Sequence, residues 1–266
     1  MVTRVLPRSA TDILFYAYFL LCFLFILLPV LVLMAFSFHS GAYPALPFRS
    51  FTLKWYVALF HDQEIVEALL RSVLVGVASG LSATLLGFLA AYSLTRSRFP
   101  WHQAIYTFLM LPVMIAYLII GLGLLILFTL LGIPKSLFAV WLSHTVINLP
   151  ISVAILYAQL GKQQANLERA AQDLGANTVQ TMLYVTLPLI LPAILASFFL
   201  TFTLSWDEFI IAFLVSGFDV TLPVQIWSML RSGISPRLNA VGTLVFTISI
   251  GLALATELLL TRQRNG

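Results

Sequence analysis

The segment LERAAQDLGANTVQTMLYVTLPLILPA, residues 167–193, joins a short polar stretch to a long apolar run that contains two prolines. Residues 166–174 are good helix formers, and Asn166 is a residue type that commonly caps a helix N-terminus. Gly175 follows, and glycine suits the left-handed position just past a helix end. The segment therefore predicts a short polar helix over 166–174 that stops at Gly175 and leads into an apolar helix.

The overall composition places this polar segment in a membrane protein. Hydrophobic residues make up 61% of the chain, charged residues 9%, and the mean hydropathy is +1.01, far outside the range of soluble domains. Six apolar segments each supply the roughly 20 residues that a helix needs to cross a bilayer. They cover residues 13–36, 68–95, 104–131, 137–160, 182–216 and 241–260. Because these runs are continuously apolar, without the alternation of barrel strands, the predicted fold class is an all-α polytopic membrane protein with six transmembrane helices.

An even number of spans places both termini on one side of the membrane. Arginines lie near both termini, and the loops 96–103 and 161–181 add basic residues on the same side. The side that holds both termini carries eight basic residues, and the opposite side carries six. The positive-inside rule therefore favours a cytoplasmic location for both termini. The prediction is a cytoplasmic tail over 1–12, a six-helix transmembrane domain over 13–260 with a cytoplasmic loop at 161–181, and a cytoplasmic tail over 261–266.

The predicted helix over 166–174 can either rest on lipid headgroups or dock into a partner protein. Ala170 and Ala171 leave one side of it nearly bare, which permits close approach of another surface. Leu167 and Leu174 lie seven residues apart and form a narrow apolar ridge. A lipid-bound helix is typically basic with bulky apolar anchors, and this helix lacks that pattern. The residues therefore favour docking into a partner protein.

Small residues and a Leu-Pro pair occur in this loop at characteristic separations. The pattern consists of Ala170-Ala171, Gly175, Val185 and Leu187-Pro188, separated by three, nine and one residues. It resembles the EAA loop that marks the inner-membrane permease subunits of type I ABC importers. The acid of the motif falls on Arg169, with Glu168 one residue earlier, so the alanines and the glycine carry the resemblance more directly than Glu168. The resemblance covers roughly residues 60–260 and implies the transmembrane domain of a type I ABC importer.

By this resemblance, the polar helix is a coupling helix that sits in a groove of a separate ATPase subunit, and Gly175 shapes its turn. The implied ATPase-coupling residues are Glu168, Ala170, Ala171, Asp173, Leu174 and Gly175. The resemblance also implies a paralogous permease subunit that completes a heterodimer, two ATP-binding subunits and a soluble extracytoplasmic substrate-binding protein. The implied location is the bacterial cytoplasmic (inner) membrane, whose lipid is a further partner.

Two further stretches are similar to the spermidine/putrescine branch of these permeases. They are SWDEFIIAFLVSG at 205–217 and TLPVQIWSMLRSGISPRLNAVGTL at 221–244. The expected substrate is therefore a polyamine. Opine, phosphonate and iron importers share the same general plan and are alternatives within the class. A secondary transporter is an alternative outside it, although the sequence shows no convincing internal repeat of the kind that marks many such transporters.

The sequence lacks the motif that would bind ATP. No G-x-x-x-x-G-K-[ST] occurs, and GIPKS at 132–136 is too short to cradle phosphates. We therefore expect a non-catalytic subunit that binds no cofactor, with ATP and Mg²⁺ on the partner ATPase. An intramembrane protease built on Ser82 and His144 is a weaker alternative, because a lone histidine in a span usually bonds a neighbouring helix.

Two other classes of ligand are also not expected. The four histidines are scattered and no HExxH motif occurs, so the sequence gives little support to a metal site. The net charge of +4 follows from the topology, and basic residues do not form a stripe with interleaved aromatic residues. We therefore expect no nucleic-acid partner.

Polar residues in the fifth predicted span form a stripe on one helix face. The stripe consists of Ser197, Thr201, Ser205 and Glu208, at spacings of four, four and three. Asp207 points about 100° away from Glu208 and leaves the stripe. Because polar groups are costly in a bilayer, the stripe is most simply a wall of a wetted pathway, where a carboxylate attracts a cationic polyamine. The predicted substrate-pathway residues are Glu208, Asp207, Ser205 and Thr201, with pairing to a basic group of a partner subunit as the alternative for either acid.

Overall fold

The structure, a computed structural model, describes residues 10–41, 43, 47–48, 50–96, 100–233 and 235–264. These residues are helical almost throughout, and the ladder pairing among them is limited to an isolated bridge between His39 and Phe51. Their helices are α1 (Ala10–Ser37), α2 (Lys54–Phe60), α3 (Gln63–Arg96), α4 (His102–Met114), α5 (Tyr117–Leu130), α6 (Leu137–Gln159), α7 (Lys162–Asp173), α8 (Thr178–Thr181), a π-helical segment (Met182–Thr186), α9 (Leu187–Asp207), α10 (Ile210–Val215), α11 (Leu222–Ser232) and α12 (Pro236–Arg264). The predicted all-α fold class is confirmed.

Five stretches of continuous helix in the described residues are long and apolar enough to cross a membrane. They are Asp12–Ser37, Gln63–Arg96, Leu137–Gln159, Thr178–Asp207 and Pro236–Leu254. A sixth crossing is made if α4 and α5 together form one broken span. The chain is therefore a multi-pass membrane protein, as its composition predicts.

The third predicted span, 104–131, is not one continuous helix. It is divided into α4 and α5, whose axes differ in direction by 105°. The break falls at Ile115 and Ala116, which both have extended backbone with ψ of 136°. Pro112 lies three residues before the break and lacks the N–H that would bond to the preceding turn, which weakens the end of α4. Hydropathy alone does not register such a break, because both halves are apolar.

The fifth predicted span, 182–216, is also interrupted. It begins with the π-helical segment, continues as α9 and stops at Asp207, and α10 starts only at Ile210. Between them Glu208 is extended, with φ −74° and ψ 120°. The Glu208 carboxylate accepts hydrogen bonds from the backbone N–H groups of Ile211 and Ala212, so it caps the new helix rather than continuing the old one.

The polar helix α7 begins earlier than the sequence predicts. Asn166 is not its N-cap but lies inside it, because the helix starts at Lys162 with Gly161 at the cap position. Residues 162–165 are compatible with helix, and the apolar α6 ends only two residues before Gly161, so little chain is left for a loop. The sixth span also begins earlier, at Pro236, a residue type favoured in the first turn of a helix.

The chain divides into two compact units, and α11 and α12 each contribute to both. One unit comprises Met1–His61 and Met229–Val245, and the other comprises Asp62–Ser228 and Phe246–Gly266. In the first unit, the Trp55 indole donates a hydrogen bond to the backbone oxygen of His39 (2.7 Å). Ser37 and Tyr56 bond through their hydroxyl groups (2.8 Å), which ties the end of α1 to α2.

The second unit is built around α3, α6 and α9, each of which packs against the other two. Small residues permit this close packing. A Cβ on Gly87 of α3 would overlap the side chain of Ser152 on α6, and one on Gly76 would lie 3.0 Å from the Phe202 ring of α9. Larger residues, including Leu156 and Ile190, fill the space around these contacts.

Some sequence predictions fall on residues that the structure does not describe. They include most of the predicted tail over 1–12 with its two arginines, and Arg98 in the loop after α3. Helix α12 continues to Arg264, through most of the predicted tail over 261–266. The domain boundaries 13–260 stay a prediction.

Candidate functional site

The end of α7 has the backbone geometry that its sequence predicts. Gly175 has a φ of +96°, in the left-handed region that favours glycine. Its N–H donates to the Gln172 oxygen (2.9 Å), and the N–H of Ala176 donates to the Ala171 oxygen (3.0 Å). These two bonds form a Schellman motif, which satisfies carbonyl groups that a helix end otherwise leaves unpaired. The predicted left-handed cap at Gly175 is confirmed, whereas its part in coupling stays a prediction.

The six predicted coupling residues differ in exposure. Ala170, Asp173, Leu174 and Gly175 are exposed, and Ala171 is partly buried. Apolar side chains on and after α7 are also open to the surroundings: Leu167, Leu174, Val179, Leu183 and Tyr184. Leu174 is 90% exposed, so nearly all of its side chain is available for contact with another molecule. These apolar residues, with Ala170 and Gly175, are called the α7 surface below.

Glu168 differs from the other coupling residues because it is buried. Arg96, the last residue of α3, donates to it twice, from Nε to Oε2 (2.6 Å) and from Nη2 to Oε1 (2.9 Å). Thr186, at the end of the π-helical segment, donates its hydroxyl to the same Oε1 (2.9 Å). Arg96 Nη1 also donates to the backbone oxygen of Leu160, which caps α6 (3.1 Å). We call Arg96, Glu168 and Thr186 the clamp.

Two members of the clamp, Arg96 and Thr186, are not among the site residues predicted from the sequence. Arg96 and Glu168 lie 72 residues apart, so no local pattern connects them. Arg96 is a basic residue in the last turn of a spanning helix, a position where an interaction with lipid or water is the usual expectation. The sequence offers one signal of a different role for Glu168. This acid stands one residue before the position that the motif gives to its glutamate.

A cavity of about 1100 Å³ lies beside α7. Its walls include aromatic and polar residues of α3, α4, α6 and α7: Tyr92, Arg96, His102, Tyr157, Asn166, Arg169 and Gln172. The cavity gives this end of the molecule a concave surface next to the exposed α7 surface.

The polar stripe of α9 lies on one face, as predicted, and that face is buried inside this subunit. Ser197 donates to the Ser152 hydroxyl (2.8 Å), and Asn148 Nδ2 donates to the Thr201 backbone oxygen (3.2 Å). One turn further on, the Ser205 hydroxyl contacts His144 Nδ1 (2.7 Å).

These pairs form a ladder in which polar residues of α6 and α9 meet at four-residue intervals. The ladder consists of His144, Asn148 and Ser152 of α6 and of Ser197, Thr201 and Ser205 of α9. Ser79 of α3 also donates to Ser205 (2.9 Å). The α6 residues are spaced four apart in the sequence, and this spacing is the signal that could have identified them. The pathway role of Thr201 and Ser205 stays a prediction.

The two acids at the end of α9 have opposite environments. Glu208 is 5% exposed, is held by two backbone N–H groups and lies 3.3 Å from His144 Nε2 without a well-directed hydrogen bond. Asp207 is exposed and accepts a bond from the Ser249 hydroxyl of α12 (3.1 Å). An exposed carboxylate on an apolar helix is expensive where it faces lipid, so this side of α9 is suited to face water or another protein.

The serine and histidine of the protease alternative have separate partners. Ser82 donates to the Ala78 oxygen (2.7 Å) and accepts from the Trp141 indole (3.0 Å). His144 instead contacts Ser205, and both side chains are buried in the ladder, so Ser82 and His144 do not form a pair. Within the described residues, no group of three or more histidine, cysteine or acidic side chains is arranged to hold a metal ion.

Comparison with known sequences gives extensive matches. Residues 83–265 match the family described as "Binding-protein-dependent transport system inner membrane component". The chain is 30% identical to the spermidine/putrescine transport system permease protein PotC of Haemophilus influenzae, over 99% of this chain and 100% of that protein. It is 32% identical to the putrescine transport system permease protein PotI of Escherichia coli, over 85% of this chain and 83% of that protein.

Comparison with solved structures gives the same fold. One match is a chain in the crystal structure of a bacterial ABC transporter involved in the import of the acidic polysaccharide alginate. The TM-score is 0.68 at 17% identity, over 97% of this chain and 99% of that chain. The second is in the crystal structure of a bacterial alginate ABC transporter in complex with an alginate pentasaccharide-bound periplasmic protein. Its TM-score is 0.70 at 18% identity, over 92% and 93% of the two chains.

The fold is therefore that of ABC importer transmembrane domains, and the resemblance read from residues 170–188 is confirmed. The family match covers more than half of the chain, and the polyamine permease relatives match over most of their length. The chain belongs to the family of inner membrane components of binding-protein-dependent transport systems.

Proposed function

We propose that this chain is the permease subunit of an ATP-driven importer for polyamines of the spermidine and putrescine type. The observation that carries the proposal is the match to a spermidine/putrescine permease over 99% of this chain and all of the relative. Opine, phosphonate and iron importers share the general plan and are the alternatives, whereas the two relatives described above are named for spermidine and putrescine. Family membership gives no support to a secondary transporter.

The α7 surface is the proposed docking site for a separate ATPase. It combines a leucine that is 90% exposed with small residues that permit close approach, in a helix whose end is fixed by the Gly175 turn. The cavity beside α7 can receive side chains of the same partner. Because the sequence has no phosphate-binding loop, ATP and Mg²⁺ are assigned to the ATPase, in two copies, and this chain is assigned no catalysis.

Asp207 is the proposed contact of this subunit with the cationic substrate. Its exposure in an apolar part of the chain supports a surface that faces water or a second permease subunit. A carboxylate in such a surrounding attracts a polyamine more strongly than one in bulk water. Glu208, which the sequence analysis also placed in the pathway, is buried and bonded within the subunit, so we assign it to holding the helix break.

The remaining partners follow from the same proposal. A paralogous permease completes a heterodimer, and a soluble extracytoplasmic binding protein delivers the substrate. A structural neighbour was crystallised with a periplasmic protein bound to its oligosaccharide, which supports this last partner. The loop charges support placing α7 and both termini on the cytoplasmic side of the bacterial inner membrane.

The subunit composition can be tested by purifying the tagged chain from its own membranes and identifying the proteins that co-purify. We expect an ATPase and a second permease. Recovery of the chain alone, under conditions that preserve other membrane complexes, would contradict the importer.

The substrate can be tested by measuring the uptake of radiolabelled putrescine with wild-type chain and with Asp207→Asn. We expect uptake by the wild type that excess spermidine suppresses and a phosphonate does not. Asp207→Asn should reduce uptake about tenfold or more, because it removes the charge that attracts the cation and keeps the shape. Asp207→Glu is the matched control and should keep most of the uptake. Full uptake by Asp207→Asn excludes its pathway role, and absence of polyamine uptake by the wild type excludes the substrate.

A further inference from the structure

The clamp joins four helical elements through two side chains of opposite charge. Glu168 belongs to α7, Arg96 ends α3, Thr186 precedes α9, and the Leu160 oxygen that Arg96 also binds caps α6. Because α3, α6 and α9 form the core of their unit, the clamp ties α7 to all three core helices, in addition to the short covalent link between α6 and α7.

We propose that the clamp transmits the motion of α7 to the spanning helices, with Arg96 and Glu168 as positioning residues for transport. This inference rests on the proposed function, in which an ATPase docks on the α7 surface. Glu168 itself does not face that surface, since its side chain is 7% exposed and its oxygens are occupied by Arg96 and Thr186. The clamp thus acts behind the docking surface and not within it.

The covalent connection from α7 to α9 is poorly suited to transmit force. It passes through the left-handed turn at Gly175 and then through the π-helical segment, which lies inside the continuous helix Thr178–Asp207. Glycine turns are permissive in conformation, and π-helical turns are an uncommon geometry. The clamp bypasses these elements because Glu168 bonds directly to Thr186, immediately before α9 begins.

The chemistry of the Arg96–Glu168 pair is suited to a contact that stays formed while α7 moves. The guanidinium group of arginine is permanently charged, and its planar fork holds a carboxylate in a fixed orientation through two parallel bonds. The side chain of Arg96 is 17% exposed, so separating the pair would leave two charges partly buried without a partner. Motion of α7 is therefore easier as a joint motion with α3 and α9 than as a separation from them.

The proposal can be tested in the complete complex, purified with its ATPase and second permease and reconstituted into liposomes. The quantity to measure is the number of putrescine molecules transported per ATP hydrolysed, at equal amounts of assembled complex. Arg96→Gln removes the charge and should lower this ratio about tenfold, a change typical of coupling between two sites. Arg96→Lys keeps the charge without the fork and should restore part of the ratio.

A second variant keeps the test decisive if Arg96→Gln does not assemble. Thr186→Val leaves the ion pair intact and removes the bond next to α9, so a fall of about threefold is expected. Thr203→Val is the matched control, because the Thr203 hydroxyl donates to the Phe199 oxygen of its own helix (2.8 Å) and to no clamp residue, and its ratio should equal that of the wild type.

The possible outcomes separate this inference from the proposed function. If the wild-type complex contains no ATPase or does not transport putrescine, the proposed function fails and the clamp's role fails with it. If the wild type transports and both Arg96→Gln and Thr186→Val complexes keep the wild-type ratio, the proposed function stands. The clamp is then a stabilising contact only. A ratio that falls equally in Thr203→Val also overturns the proposal.

Discussion

Glu168 and Glu208 are both buried carboxylates at junctions between helices, each in a residue that is 5% exposed, but they are satisfied by different groups. Glu168 depends on the guanidinium of Arg96, a charge supplied from 72 residues away. Glu208 is held by backbone N–H groups three and four residues further along its own chain, with His144 beside it. The first junction needs a permanent opposite charge, whereas the second is built largely from local, neutral donors.

This difference predicts how well each junction tolerates substitution of its glutamate. A carboxylate paired with arginine cannot be neutralised without leaving the arginine uncompensated. A carboxylate that accepts bonds from backbone N–H groups can be replaced by another acceptor at a smaller cost, because no charged partner is left behind. The two glutamates should therefore respond differently to the same substitution by glutamine.

The largest effect is expected for Glu168→Gln. Removal of one partner from a buried ion pair should lower the free energy of unfolding by about 3–5 kcal/mol. The measurement is a denaturant titration of the purified chain in mixed micelles. The control is Glu67→Gln, since Glu67 pairs with Arg71 on α3 (3.0 Å) and both side chains are partly exposed, so this variant should lose no more than about 0.5 kcal/mol. Equal losses for the two variants would remove the distinction between a buried and a partly exposed pair.

A smaller effect is expected for Glu208→Gln. The amide oxygen can still accept from Ile211 or Ala212, so the expected loss is about 1 kcal/mol, and Glu208→Ala should lose more because it leaves both N–H groups unpaired. Uptake of putrescine per assembled complex should stay near the wild-type level. A larger loss of stability in Glu208→Gln than in Glu168→Gln would reverse the comparison, and selective loss of uptake would return Glu208 to the pathway.

The smallest effect on stability is expected for Asp207→Asn, within about 0.5 kcal/mol. Asp207 is exposed and its contact with the Ser249 hydroxyl can be kept by the asparagine oxygen. The same titration in mixed micelles provides the measurement, and Ser249→Ala serves as a control for that contact. A loss comparable to that of Glu168→Gln would show that Asp207 is part of the internal structure, which would contradict its assignment to the pathway.

The sequence predicts the helical class, the positions of five continuous spans and the left-handed turn at Gly175. These features depend on local composition and on one residue type with a special backbone preference. The breaks at Ile115 and at Glu208 are not predicted, because the residues on both sides are apolar and hydropathy does not depend on backbone direction.

The contact partners of the polar residues cannot be predicted from the local sequence either. Helical spacing correctly places Ser197, Thr201 and Ser205 on one face, but it does not say whether that face meets water or another helix. The structure gives the answer, because the face packs against α6 through residues at matching intervals. The Arg96 partner of Glu168 could be identified only by bringing together the ends of two distant helices.

The break between α4 and α5 has a consequence for what surrounds it in the membrane. In the first turn of α5, the N–H of Ile119 donates to the backbone oxygen of Ala116 (2.9 Å), but the N–H groups of Tyr117 and Leu118 have no acceptor in their own helix, and the methyl side chain of Ala116 cannot supply one. Met114 and Ile115, beside the break, are exposed in the isolated chain. Hydrocarbon offers these amides no oxygen, so this corner of the subunit is incompatible with a lipid boundary. It must be wetted or capped by oxygens of a neighbouring subunit.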